Sequence, residues 1–210
     1  MTSRRLERRP LPADAVESLR AADPVLRAAI DRVGPFEASH EPDLWWSLVD
    51  AIGSQQLSVK AAATIVGRLR ALGDDGEPPS PERVLDLPDE TLRACGLSRA
   101  KTLYVKDLAA RWIDGSIEHH RFPDLDDEEI IAELCRVKGI GRWTAEMFLL
   151  FTLQRLDVLP VDDLGLRTAV QREYGLAERP GRPDLLALGE AWRPYRSIAT
   201  LYLWRSLATP

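Results

Sequence analysis

Apolar residues recur every third or fourth position along most of this chain, the spacing that places them on one face of a helix. In "DPVLRAAIDRVG" (23–34), Asp23 reads as an N-cap, Pro24 as the first helical position and Gly34 as the stop. "PDLWWSLVDAIGSQQLSVKAAATIVGRLRALG" (42–73) reads as two helices broken near Gly53–Ser54. "SRAKTLYVKDLAARWIDG" runs from Ser98 to Gly115, and "LDDEEIIAELCRV" (125–137) has acids in its first turn, where the positive end of the helix dipole favours them. "GRWTAEMFLLFTLQ" (141–154), "DLGLRTAVQREYG" (163–175) and "RPYRSIATLYLWRSL" (193–207) complete the periodic segments. No stretch alternates convincingly as a strand, "GDDGEPPSP" (73–81) reads as a loop, and no solenoid repeat is present. The pattern predicts an all-α fold of roughly ten helices.

Composition narrows this picture. The 210 residues, 45% of them apolar, suffice for one sizeable domain or two small lobes sharing a cleft. No apolar run is long enough to span a bilayer, and the basic start "MTSRRLERRPLP" lacks the apolar segment of a secretory signal. Cys95 and Cys135 lie far apart without CxxC spacing, and His40, His119 and His120 form no metal-ligand pattern with them. A disulfide framework, a zinc site and an iron–sulfur site are therefore not expected, and a reducing cytoplasm fits. The net charge of −5 argues mildly against a nucleic-acid partner, but the charge is uneven. From Arg136 onward there are 11 basic and 8 acidic side chains, against 17 and 25 before it. Phosphate contacts need only a local basic face.

That more basic part opens with "RVKGIGRWTA" (136–145), in which Gly139 and Gly141 bracket Ile140 between two helical patterns. If either glycine needs a positive φ, the turn is too tight for β-carbons, and glycines let a phosphate approach the backbone. The turn amides and the start of the next helix would then face the anion, with Lys138 and Arg142 adding charge. A plain helix–turn–helix corner that binds nothing has the same short pattern, so the two glycines alone do not decide between them.

The flanks add specificity. The hairpin "GIGRWTA", then "LDVLPVDDLGLRTAV" (156–170), then "RPYRSIATLYLWR" (193–205) follow in order, and "AIGSQQLSVKAA" (51–62) extends the match. Together they resemble the helix–hairpin–helix–Gly/Pro–Asp superfamily of DNA repair glycosylases, and within it the 3-methyladenine DNA glycosylase II branch. The length is similar to the compact form without the extra N-terminal β-containing domain. The resemblance implies a two-lobed helical fold with the active site in the interlobe cleft. The lobes would be 35–125, with a wedge loop, and 126–210 joined by the N-terminal helices 12–34. The implied function is that of a monofunctional glycosylase which flips alkylated bases out of duplex DNA, hydrolyses the N-glycosidic bond and leaves an abasic site. The implied partner is double-stranded DNA containing such bases, with no membrane or protein partner, and a monomer in the cytoplasm (at the nucleoid, if bacterial). No cofactor is required. A monovalent cation, Na+ or K+, would sit in the hairpin on the backbone carbonyls of Cys135, Val137 and Ile140.

The resemblance also places the site residues. Asp163, next to Asp162, aligns with the family's catalytic aspartate, although an aspartate before Leu-Gly-Leu-Arg also reads as a helix N-cap. Trp143 and Trp204 align with aromatic walls of the base pocket, while Met147 stands where some relatives have tyrosine. Tryptophans also serve as core, the reading given to Trp45, Trp46, Trp112 and Trp192, with Trp45 or Trp46 as alternative cleft wall. Trp143 holds the place of the Schiff-base lysine of bifunctional relatives, so no lyase activity is expected. Gln55, Gln56 and Leu57 match the loop carrying the wedge that fills the gap left by a flipped base, with Gln55 and Gln56 alternatively capping the following helix. Lys138, Gly139, Ile140, Gly141, Arg142 and Thr144 form the hairpin expected on DNA phosphate. A non-catalytic hairpin DNA-binding protein, or a glycosylase for another base lesion, are the competing functions.

Overall fold

Many helix starts in this chain are set by a side chain that accepts an amide of the first turn. The computed structural model describes residues 7–209, and its elements follow in chain order. They are β1 (Glu7–Pro10), α1 (Ala13–Ala22), α2 (Pro24–Val33), β2 (Glu37–His40), α3 (Leu44–Ser54) and α4 (Val59–Arg70). Next come α5 (Pro81–Asp86), α6 (Asp89–Ala94), α7 (Arg99–Ile113), α8 (Asp127–Leu134) and α9 (Arg142–Phe151). The last three are α10 (Leu164–Glu173), α11 (Arg182–Gly189) and α12 (Arg196–Ser206). Asp43, Ser58, Ser80, Ser98 and Asp163 each accept an amide of the first turn that follows them, and Asp126 with Glu129 forms a capping box on α8.

The fold is helical as predicted, with one addition. Glu7–Pro10 and Glu37–His40 pair antiparallel, Glu7 opposite His40 and Pro10 opposite Glu37. Strands of four residues are too short to show an alternating pattern, and β1 is exposed throughout, so the sequence carried no period-two signal here. A second difference lies in the α3–α4 break. The helix runs through Gly53 and Ser54, and the chain turns instead at Gln56, whose φ is +56. Gly53 lies buried within α3 against α4, where a β-carbon would make ordinary contacts with Leu69 Cδ1 at 3.5 Å and Val66 Cγ2 at 3.6 Å, so this glycine does not mark the break.

The described residues divide into two compact units, Glu41–Phe148 and Glu7–His40 with Leu149 onward. The boundary falls inside α9, not at 125/126. The expected grouping of the 136–145 hairpin with Asp163 does not hold, because the hairpin's partners are earlier in the chain. Its Lys138 amide donates to Asp107, and its Gly139 carbonyl accepts from Gln55. The first unit buries Trp46, Ile52, Leu69, Leu108, Phe122 and Ile130. The second packs α1, α2, α10 and α12 around Leu19, Leu26, Leu166, Val170, Trp192 and Leu203.

Asp23 ties the second unit's core together. Its carboxylate caps α2 through the Val25 and Leu26 amides at 2.8 and 3.0 Å, and also accepts from the Trp192 indole at 3.1 Å and the Tyr174 hydroxyl. Burial works to raise its pKa, but the hydrogen bonds from Tyr174, Leu26, Trp192 and Val25 outweigh it and hold the carboxyl below its ordinary value. Burial, with the Asp23 charge, pushes the Tyr174 hydroxyl up. Since the folded pKa is depressed, this stabilisation is present above the unfolded pKa of about 4 and is lost as pH falls through the folded value. Asp23→Asn keeps the cap but confronts the Trp192 N–H with an amide. It should cost about 1–3 kcal/mol at neutral pH in urea unfolding, with the gap to wild type narrowing in acid. A gap that does not change with pH would rule out the charged form as the source.

Candidate active site

In the second unit, Asp163 stands at the start of α10, 9% exposed. Its Oδ1 accepts the Leu166 amide at 2.6 Å, so the cap read from the sequence is real. The same oxygen accepts the Trp204 indole N–H from α12 at 2.8 Å. The two donors and the helix N-terminus surround the carboxylate with positive potential. Asp162 differs: it is exposed and ion-paired with Arg182, which leaves Asp163 as the buried member of the pair.

Two neighbours here went unread in the sequence. Phe151, at the end of α9, lies nearly parallel to Trp204, ring centroids 6.1 Å apart and planes at 14°. Gly165 lies in the first turn of α10. A β-carbon there would sit 3.1 Å from Asp163 Oδ1 and 3.2 Å from Trp204 Nε1, closer than such contacts normally come. A glycine one residue into a helix, where it is a poor helix former, was the available signal. The loop leading to Asp163 is pinned as well. Asp157 receives the Arg196 guanidinium at 2.7 and 3.0 Å and Arg193 at 2.7 Å, while Ser197 bonds the Arg155 carbonyl and the Val158 amide.

The first unit holds the hairpin and the 55–57 loop. The two glycines of the hairpin are not equivalent. Gly139 has φ +85, and a β-carbon on it would fall 2.2 Å from the Tyr104 ring. Gly141 needs no positive φ and has open space around it. Ile140 is buried, and its amide donates to the Val137 carbonyl at 3.1 Å. Lys138 is exposed, but its amide is bound to Asp107 Oδ2 at 3.0 Å and is thus not offered to an anion. Arg142 does not stand as an unpaired cation: it bonds Glu128 at 2.9 Å and Glu146 at 2.9 Å, and these acids raise its pKa further. Thr144 is buried, against its expected place on phosphate, because it lies on the inward face of α9 beside Ala145.

The loop residues have separate placements. Gln55 ends α3, and its side chain donates to the Gly139 carbonyl at 2.8 Å. Ser58, not a glutamine, caps α4, so the capping alternative for Gln55 and Gln56 does not hold. Gln56 and Leu57 are exposed, Leu57 by 40%. Trp143 is 47% exposed near the start of α9, with Met147 half-buried one turn on. Trp45, Trp46 and Trp192 are buried, which assigns Trp45 and Trp46 to core and not to a cleft wall.

Comparison with known proteins gives a consistent set. Residues 49–194 match the family model described as HhH-GPD superfamily base excision DNA repair protein. A curated relative is the DNA-3-methyladenine glycosylase 1 of Schizosaccharomyces pombe, 37% identical over 173 residues, which are 82% of this chain and 76% of that one. A solved S. pombe 3-methyladenine DNA glycosylase in complex with abasic DNA superposes with TM-score 0.79 at 35% identity, covering 91% of this chain and 95% of that one. A DNA-3-methyladenine glycosidase from Bacillus halodurans superposes with TM-score 0.84 at 36% identity, covering 95% and 91%.

Proposed function

The chain belongs to the HhH-GPD superfamily of base excision DNA repair proteins, and on that premise we propose that it is a DNA glycosylase acting on alkylated bases of the 3-methyladenine type in duplex DNA. The observation that carries the chemistry is Asp163, a buried carboxylate held at a helix start by one backbone amide and one indole.

The target base must leave the stack before its glycosidic bond can be reached. An alkylated purine of this type is cationic and is attracted to aromatic faces, and Trp204, whose indole is bonded to Asp163 within the second unit, supplies one. As the N-glycosidic bond breaks, its electron pair goes to the base and cancels the positive charge. The deoxyribose acquires oxocarbenium character at C1′. The Asp163 carboxylate stabilises that charge and orients the water whose oxygen bonds to C1′, the water's proton leaving through the carboxylate to solvent. The products are the free base and an abasic site.

Gln56 and Leu57 occupy the gap in the duplex, and Gln55 belongs to the same loop. Lys138 and the Gly139–Gly141 turn meet the phosphate backbone, with Arg142 reaching it by exchanging a carboxylate partner for a phosphate. The backbone carbonyls of Cys135, Val137 and Ile140 would hold a Na+ or K+ ion, whose positive charge would favour a phosphate near the turn. The Val137 carbonyl already receives the Ile140 amide and would offer its second lone pair. No described helix is long and apolar enough to cross a membrane, and action in the cytoplasm is part of the same proposal.

The test is incubation of the protein with methylated duplex DNA and chromatography of what is released. Free 3-methyladenine is expected, with strand breaks only after alkali, since Trp143 offers no amine for a Schiff base. DNA binding without any base release would sink the enzymatic reading and leave a hairpin DNA-binding protein. Strand cleavage without alkali would sink the monofunctional one.

A further inference from the structure

One face of α7 is bonded to both of the loops assigned to DNA. Lys101, in its first turn, donates from Nζ to the Gly53 carbonyl at 2.9 Å and the Gln55 carbonyl at 2.6 Å. One turn on, the Tyr104 ring fills the space against Gly139 that a side chain would need. Another turn on, Asp107 accepts the Lys138 amide at 3.0 Å and is itself held by Arg111 at 3.1 Å. Positions three apart share a helix face, so wedge loop and hairpin turn are fastened to a single rigid edge. Gln55 closes the circuit, its side chain reaching the Gly139 carbonyl.

We propose that Lys101 is a positioning residue for the wedge: through the Gly53 and Gln55 carbonyls it fixes the 55–57 loop at a set distance from the hairpin. A helix leaves its last carbonyls without intrahelical partners and carries partial negative charge there. The chain then turns through Gln56 at φ +56, a conformation a glutamine adopts only when its surroundings enforce it. The Lys101 ammonium answers both needs, satisfying two carbonyls on either side of Ser54 and locking the residue before the turn. Burial lowers its pKa from the ordinary lysine value, in keeping with an ammonium drawn from water toward these carbonyls. No substrate contact is assigned to it.

The inference rests on the reading of 55–57 as the wedge, and its test keeps the two apart. The probe is a duplex with 2-aminopurine beside an abasic-site analogue, whose fluorescence rises when a side chain unstacks the neighbouring base. Single-turnover release of 3-methyladenine and affinity for the same duplex are measured alongside, all below each variant's melting transition. Lys101→Met keeps the aliphatic stem and removes the charge. It should abolish the fluorescence gain and slow release roughly ten- to a hundredfold, the scale of a misplaced group. Affinity should stay within about threefold, since phosphate contacts are unchanged. Lys101→Arg, which retains a cation, should recover part of both signals. A Lys101→Met protein with wild-type fluorescence and release overturns the proposal. So does loss of binding and release together with no recovery by Lys101→Arg, which marks a general structural role. Wild-type protein that raises the fluorescence yet frees no base counts against the glycosylase reading and not against this one.

Discussion

Replacing Asp163 by asparagine should lower single-turnover base release by about a hundredfold to ten-thousandfold while leaving the fold intact. One side chain holds two roles here, and this substitution separates them. Asparagine is about as good an N-cap as aspartate, and its carbonyl oxygen can keep both the Leu166 amide and the Trp204 indole. What disappears is the negative charge proposed to face C1′ and to accept a water proton. Thermal stability should therefore stay within about 1 kcal/mol of wild type. Asp163→Ala is the contrasting variant, since it also removes the cap and leaves the Trp204 N–H without this acceptor; it should lose stability as well as activity. Asparagine at wild-type rate would mean that the carboxylate only starts α10, and Asp162, freed from Arg182, would be the next candidate.

Gly139→Ala should cost about 2–4 kcal/mol of stability, from left-handed backbone strain plus overpacking, and weaken duplex binding at least about tenfold. At φ +85 any side chain is strained, and the added β-carbon would sit 2.2 Å from Tyr104 Cδ2 and 2.6 Å from Cγ. Those are ring atoms near the root of the side chain, not the end of a flexible one, so the turn or α7 must move. Gly141→Ala is the control: its backbone is not left-handed and the site is open, so stability should change by less than about 0.5 kcal/mol. Its effect on binding then reports separately whether a phosphate approaches that backbone. Differential scanning and fluorescence anisotropy with a labelled duplex measure both quantities. Equal losses of stability from the two substitutions would refute the asymmetry.

The legible parts of the sequence were those written locally. Asp23-Pro24 with Gly34, and Ser98 at the head of α7, placed helix ends because a cap and its amides lie within a few residues. The hairpin and Asp163 stood out for the same reason, as short motifs with a mechanism. Commitments between distant positions were not legible. Nothing near Arg142 in the chain foretold that Glu128 would hold it, or that Asp107 would take the Lys138 amide. The difference between Gly139 and Gly141 depends on Tyr104, thirty-five residues away. Thr144 looked available because a helix face cannot be assigned until its neighbours are known. Phe151, Gly165 and Lys101 escaped for the converse reason, each being ordinary in its local context.

The turn at Gln56 bears on any attempt to engineer this protein. A left-handed backbone is one that glycine adopts without strain, so heat selection alone would favour shortening this side chain. The same change would strip the exposed loop of the group assigned to the gap in the duplex. Robustness and repair thus pull position 56 in opposite directions, and a screen that scores only survival at high temperature would enrich folded, inert variants.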